Sequence, residues 1–159
     1  MRLWSTALTV LLATLVVCGC DDHHDARRQF LAGDYEHAFK SFSRLADTGD
    51  SAAINFVGIH YYLGLGVQRD LARAAQLFEQ AALASNADAQ RNLGVLYLRG
   101  WGVAKDNVHA YGWLSQAERD GNKRAREYLQ LVETQITPNQ IMQARVWVAD
   151  QLHKADPHQ

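Results

Sequence analysis

Apolar residues recur along this chain at helical spacing, and the same stripe returns 36 residues later. Ala53, Val57, Gly58 and Tyr61 fall at i, i+4, i+5 and i+8, and Ala89, Leu93, Gly94 and Tyr97 repeat them. Between these lie Ala74, Leu77, Phe78 and Ala81, then Ala110, Trp113, Leu114 and Ala117, at i, i+3, i+4 and i+7. Each set places one apolar stripe on one helix face. Segments 53–88 and 89–124 are identical at 11 of 36 positions, which unrelated segments do not give. The phase also runs backwards, with Asp34 on Asp70, Ala38 on Ala74, Phe42 on Phe78 and Ala46 on Ala82. A period of this length marks one supersecondary unit stacked on copies of itself. The predicted fold class is therefore all-α, an α-solenoid of antiparallel helix pairs. It runs over residues 29–136 with about 2.5 to 3 repeats. Gly33 to Asp50 reads as half a unit, 51–86 and 87–122 as full units, and 123–136 as the start of another.

Polar punctuation separates the stripes. Gly64, Gly66, Gly100 and Gly102 stand between helices, where glycine ends one helix and turns the chain. Asp34, Asp70 and Asp106 stand where the next helix begins, and Asp50, Asn86 and Asn122 do so for the other helix of each pair. Such side chains accept backbone N–H bonds at a helix start. Gly58 and Gly94 sit inside helices at a cost of about 1 kcal/mol relative to alanine, which points to a close helix approach. After residue 136 the repeat stops. Thr137-Pro138-Asn139-Gln140 is a helix start with a capping box, followed by Ile141, Ala144, Val148 and Leu152 on one stripe and Trp147 beside it. A helix over 137–153 is predicted to cap the last repeat, with 154–159 as a tail.

Leu93-Gly94-Val95-Leu96-Tyr97, Gly100-Trp101-Gly102-Val103, Asp106, Ala110, Trp113 and Ala117 resemble the Sel-1-like repeat, a relative of the tetratricopeptide repeat. Val57-Gly58 through Tyr61, Gly64-Leu65-Gly66-Val67, Asp70, Ala74 and Ala81-Ala82 do the same. The resemblance implies an adaptor that holds protein partners together. It also implies that the first helix of each pair lines a concave face. Counting from the core positions Val57, Leu93 and Leu129, that face takes Asn55, Ile59 and Leu63, then Arg91, Val95 and Arg99, then Glu127, Leu131 and Gln135, with Tyr62 and Leu98 at its border. The expected groove is an aliphatic strip flanked by Arg91 and Arg99, suited to a peptide with an acidic residue. Trp101 is expected to pack between repeats, because its copy, Leu65, is also apolar.

The N-terminal segment has a different character. Met1-Arg2 precedes an apolar run from Leu3 to Val17, the length of a signal h-region and too short for a comfortable membrane span. Val17-Cys18-Gly19-Cys20 resembles a bacterial lipobox, with residues 1–19 as signal peptide and Cys20 as the lipidated residue. Cys18 stands where alanine, serine or threonine is usual. Asp21 after the cysteine resembles the inner-membrane retention signal of enteric bacteria, which favours the inner over the outer membrane. Residues 20–28 read as a polar tether. Loss of Arg2 on cleavage takes the net charge from −1 to −2, a balance with no general attraction to nucleic acid. One cysteine then remains, so no intrachain disulfide is available.

Nothing in the sequence argues for catalysis. His60 and His109 stand alone on predicted helices, there is no His-Glu-x-x-His and no paired cysteines survive. Gly64-x-Gly66 and Gly100-x-Gly102 lack the third glycine and the preceding strand of a dinucleotide loop. No cofactor, metal or small-molecule substrate is expected. The sequence therefore predicts a membrane-tethered protein-interaction adaptor in the bacterial envelope, facing the periplasm. The alternatives are a structural subunit of a secretion or polysaccharide-export assembly and, from another class, an envelope hydrolase.

Overall fold

The computed structural model describes residues 22–155. The expected signal peptide over residues 1–19, the expected lipidation residue Cys20 and the end of the C-terminal tail lie outside the described residues. Helices succeed one another along the chain: α1 (22–31), α2 (Tyr35–Ala46), α3 (Ser51–Leu63), α4 (Leu71–Leu83), α5 (Ala87–Arg99), α6 (Asn107–Arg119), α7 (Ala125–Glu133) and α8 (Pro138–Ala155). No strand occurs among the described residues. Each helix packs on the next from α2 to α7, which is the antiparallel α-solenoid the 36-residue period requires.

The repeat motif has a packing reason at each fixed position. Ala53, Ala74, Ala81, Ala89, Ala110 and Ala117 are fully buried, small enough to let neighbouring helices approach. A Cβ on Gly58 would stand 2.7 Å from the Phe78 ring, and one on Gly94 would stand 2.7 Å from Leu114 Cγ and 3.2 Å from the Ala110 carbonyl oxygen. The close approach expected at both glycines is therefore present, between the two helices of each pair. The second glycine of each turn serves the stacking of units. A Cβ on Gly66 would lie 2.5 Å from Tyr35 O, and one on Gly102 would collide with Leu71 O. Each turn thus rests on the first residue of the preceding unit's second helix.

The caps follow the sequence with two departures. Asp50, Asp70, Asn86 and Asp106 accept backbone N–H bonds from Ala53, Arg73, Ala89 and the Val108–His109 pair at 2.8–3.0 Å. Asp34 caps nothing with its side chain, because its carboxylate takes the His37 ring N–H at 2.8 Å instead. Asn122 accepts from Arg124 N–H at 3.1 Å, one turn before α7 starts, and its amide donates to Asp88 at 2.8 Å.

Two larger departures lie at the ends. Residues 22–28 are not a polar tether but part of α1. Ala26 is fully buried, the His23 ring meets Asp50 at 2.7 Å, Arg44 donates to Asp22, and Phe30 packs edge-on against Phe56 and His60. α1 is the first helix of the pair completed by α2, so the half unit is a whole one. The 36-residue shift misses it because three residues join α1 to α2, whereas seven join α3 to α4 and α5 to α6.

The other departure is α8. Its capping box forms as expected, with Thr137 N–H donating to Gln140 Oε1 at 2.8 Å and Gln140 N–H to Thr137 Oγ1 at 3.3 Å. However, the helix does not make its main contact with α7, although Ile141 and Ala144 join the core cluster that holds Leu129 and Val132 of α7. It lies across α6 and reaches α4, with Ala144 and Val148 fully buried and Trp147 wedged against His109 and Trp113. Gly112 permits the crossing: a Cβ there would meet Ala144 O at 3.0 Å and the Trp147 ring at 3.2 Å.

Candidate functional site

With α8 and the second helices of each pair on one side, the first helices α3, α5 and α7 leave a groove on the other. At its centre is a pocket of about 240 Å³. Phe78 and Leu96, both closed to solvent, form its floor. Ile59 and Val95, partly exposed on α3 and α5, form its walls. Tyr62, Leu63, Asn92 and Tyr128 edge it, and Arg91 is its one charged lining residue among those described.

The arginine is poorly matched by its surroundings. Its Nε is closed to solvent and has no hydrogen-bond partner among the described residues. Neither Arg91 nor Arg99 forms an ion pair there, although acids and bases pair elsewhere, as in Arg126–Glu118 at 2.8 Å and Lys40–Glu36 at 2.8 Å. A buried donor without an acceptor costs about 1–3 kcal/mol. Solenoid packing does not demand that cost here, because the copy of Arg91 one repeat earlier is Asn55.

The expected groove residues fall into two groups. Ile59, Tyr62, Leu63, Arg91 and Val95 converge on the pocket. The others do not line it. Asn55 is buried and accepts from the Asn92 amide at 2.9 Å, tying α3 to α5. Leu98 is buried in the core around α6 and α7. Arg99 and Glu127 are exposed beyond the pocket, and Leu131 is 41% exposed on α7. Tyr128 and Asn92 escaped the count. Each stands one residue before its core leucine, at the same repeat position, whereas the count took offsets of two and more. Trp101 does not pack fully between repeats: it is 40% exposed and leans on Tyr62, ring centroids 6.1 Å apart, so it extends the apolar rim beyond Leu63.

The two histidines singled out in the sequence are structural. His60 is fully buried among Phe30, Phe39 and Phe42, and its Nδ1–H donates to Leu65 O at 2.6 Å, holding the turn after α3. Burial pushes its pKa below the ordinary histidine value, only partly opposed by the bond to Leu65. His109 sits between Asp106, at 2.9 Å, and the Trp147 ring. Among the described residues no group of three or more histidine, cysteine, aspartate or glutamate side chains could hold a metal ion.

Comparison with known proteins agrees with the solenoid fold. Residues 51–86 and 87–122 each match the Sel1 repeat. The fold superposes on c5321, a protective antigen present in uropathogenic Escherichia coli strains that displays an SLR fold, with a TM-score of 0.79 and 26% identity. That match covers 87% of this chain and 31% of the other. A Sel1 repeat protein from Oxalobacter formigenes superposes with a TM-score of 0.64 and 27% identity, covering 80% of this chain and 54% of that one. The chain thus spans about a third of the first protein and about half of the second. No curated protein matches it significantly.

Proposed function

We propose that this Sel1-repeat solenoid is a membrane-tethered adaptor of the bacterial envelope that holds a partner protein on the groove of α3, α5 and α7. Sel1 repeats generally mediate protein–protein interaction. One observation carries the assignment of the face. The aliphatic walls Ile59 and Val95, the exposed Leu63 and Arg91, without an ion pair among the described residues, converge on a pocket that the protein's own core leaves open. Apolar anchoring pockets with a polar rim are where binding energy concentrates in protein interfaces. The tether rests on the apolar run before Cys20 and on the lipobox-like Val17-Cys18-Gly19-Cys20. A tethered module needs little intrinsic affinity, because confinement raises the effective concentration of a partner at the same surface.

Photocrosslinking in intact cells tests the face. A photoreactive residue replacing Leu63, 52% exposed at the pocket edge, is expected to trap a discrete protein. The same residue replacing Arg73, exposed on α4, is expected not to. Capture from position 73 but not from 63 would move the interaction to the outer helices.

A further inference from the structure

The open pocket carries an unmatched charge, and that charge together with the pocket's size defines what it takes. Small-molecule sites enclose roughly 300–1,000 Å³. At about 240 Å³ this pocket is smaller, with room for one side chain rather than a whole ligand. Its floor and walls, Phe78, Leu96, Ile59 and Val95, are all apolar, so that side chain is apolar too. The Arg91 guanidinium beside it is a cation, and it forms no ion pair among the described residues. Carboxylate is the group that matches a guanidinium's planar fork, through two parallel charge-assisted hydrogen bonds. No acidic residue of the described chain lines the pocket to supply one.

Arg99 sets a second constraint. It lies eight residues further along α5, about 12 Å at 1.5 Å per residue, and it too is without an ion pair among the described residues. An extended peptide rises about 3.3 Å per residue, so two acidic groups three to four positions apart would span the two arginines.

We propose that the pocket recognises an extended acidic segment of the partner protein. One aliphatic side chain enters between Ile59 and Val95. The carboxylate of an adjacent aspartate or glutamate pairs with Arg91, and a second acid three or four residues on reaches Arg99. The proposal rests on the concave face being the interaction surface and adds the chemistry it reads.

The probe is a capped synthetic peptide with leucine followed by glutamate and a second glutamate three residues later. Its control is the same peptide with both acids replaced by glutamine. Each is titrated into the full protein, with Ile59 and Val95 methyl resonances and the dissociation constant as readouts. The acidic peptide is expected to shift both methyls and to bind at least about tenfold tighter than the control, the worth of a charge-assisted hydrogen bond. Arg91→Gln should abolish that preference, and Arg91→Lys should retain part of it. Equal affinities, binding of neither peptide, or a preference that survives Arg91→Gln would overturn the proposal. The peptide comparison itself needs no variant, so it stands whatever the folding of the substituted proteins. Peptide failure with continued capture from position 63 would remove the acidic motif and leave the interaction face. An Arg91-dependent preference without capture would do the reverse.

Discussion

At the scale of single residues, the two mid-helix glycines and one histidine show how function constrains sequence through packing. Glycine within a helix costs about 1 kcal/mol against a good helix former, so replacing Gly94 by leucine would stabilise an isolated α5. Within the protein the added side chain drives into Leu114 and the Ala110 carbonyl, and overpacking typically costs about 1–3 kcal/mol. The packing effect is the larger, so Gly94→Leu is expected to lower the denaturant midpoint. A raised midpoint would mean that α5 and α6 are not in close contact there. His60 has the opposite legibility. Its copy, Leu96, shows that the position is a core site, but nothing in the sequence reveals the aromatic enclosure supplied by α1. Its lowered pKa fixes a sign. Above about pH 6.5, the ordinary histidine value, the ring is neutral in folded and unfolded chains and contributes nothing. As the pH falls below that value the unfolded chain takes up a proton that the folded one resists, so stability declines. Asp50 acts in a lower window. Burial pushes its carboxyl up, but the Ala53 N–H and the His23 ring outweigh burial and bring it below the ordinary value. That contribution is lost only as the pH falls through the carboxylate range. Equilibrium unfolding between pH 7 and 5 should therefore show a loss of stability that His60→Phe abolishes. A slope unchanged in the variant would assign the loss elsewhere.

At the scale of helices, the period made α3 to α6 legible, because identical contacts recur wherever a unit has a neighbour on each side. The ends were not legible, because there the neighbours change. α1 is joined to α2 by a shortened connection, so its stripe falls out of register with the repeat. α8 was recognisable as a helix from Thr137 to Gln140, but its docking partner was not. The available signal was a break in the repeat: Gly112 stands where the preceding unit has Gln76. Gln76 is exposed, and the same position on α6 lies under Ala144 and Trp147. Exchange of residues at the two positions tests this. Gly112→Gln is expected to destabilise by about 1–3 kcal/mol through overpacking and to change the near-ultraviolet circular dichroism of the Trp113–Trp147 pair. Gln76→Gly should cost only about 1 kcal/mol of helix propensity and leave that signal alone. Matching spectra for Gly112→Gln and the parent protein would place α8 elsewhere. The groove was partly legible for the same reason. Ile59 and Val95 follow from the counted offsets, whereas Tyr128 and Asn92 stand at a shared repeat position outside those offsets, where α7 contributes a bulky side chain and α5 an amide.

At the scale of the whole molecule, the packed α1 changes what a lipid on Cys20 would do. A polar tether over residues 20–28 would let the solenoid range over the membrane. With residue 22 already helical and its side chain bonded to Arg44, one residue separates Cys20 from the folded body, a reach of about 7 Å over two chain steps at full extension. On the proposed anchor, the α1–α2 end of the solenoid is held against the bilayer surface, and the groove is presented at a fixed height above it. Tethering then acts through confinement alone and leaves the pocket unchanged. Cys20→Ser is accordingly expected to move the protein from the membrane to the soluble fraction and to reduce photocrosslinking from position 63 in cells. The affinity of the purified protein for the acidic peptide should stay the same. Continued sedimentation with membranes would remove the lipid anchor from the proposal. A soluble variant that crosslinks its partner at undiminished yield would show that the groove works without the membrane, and would make the anchor a matter of location rather than of binding.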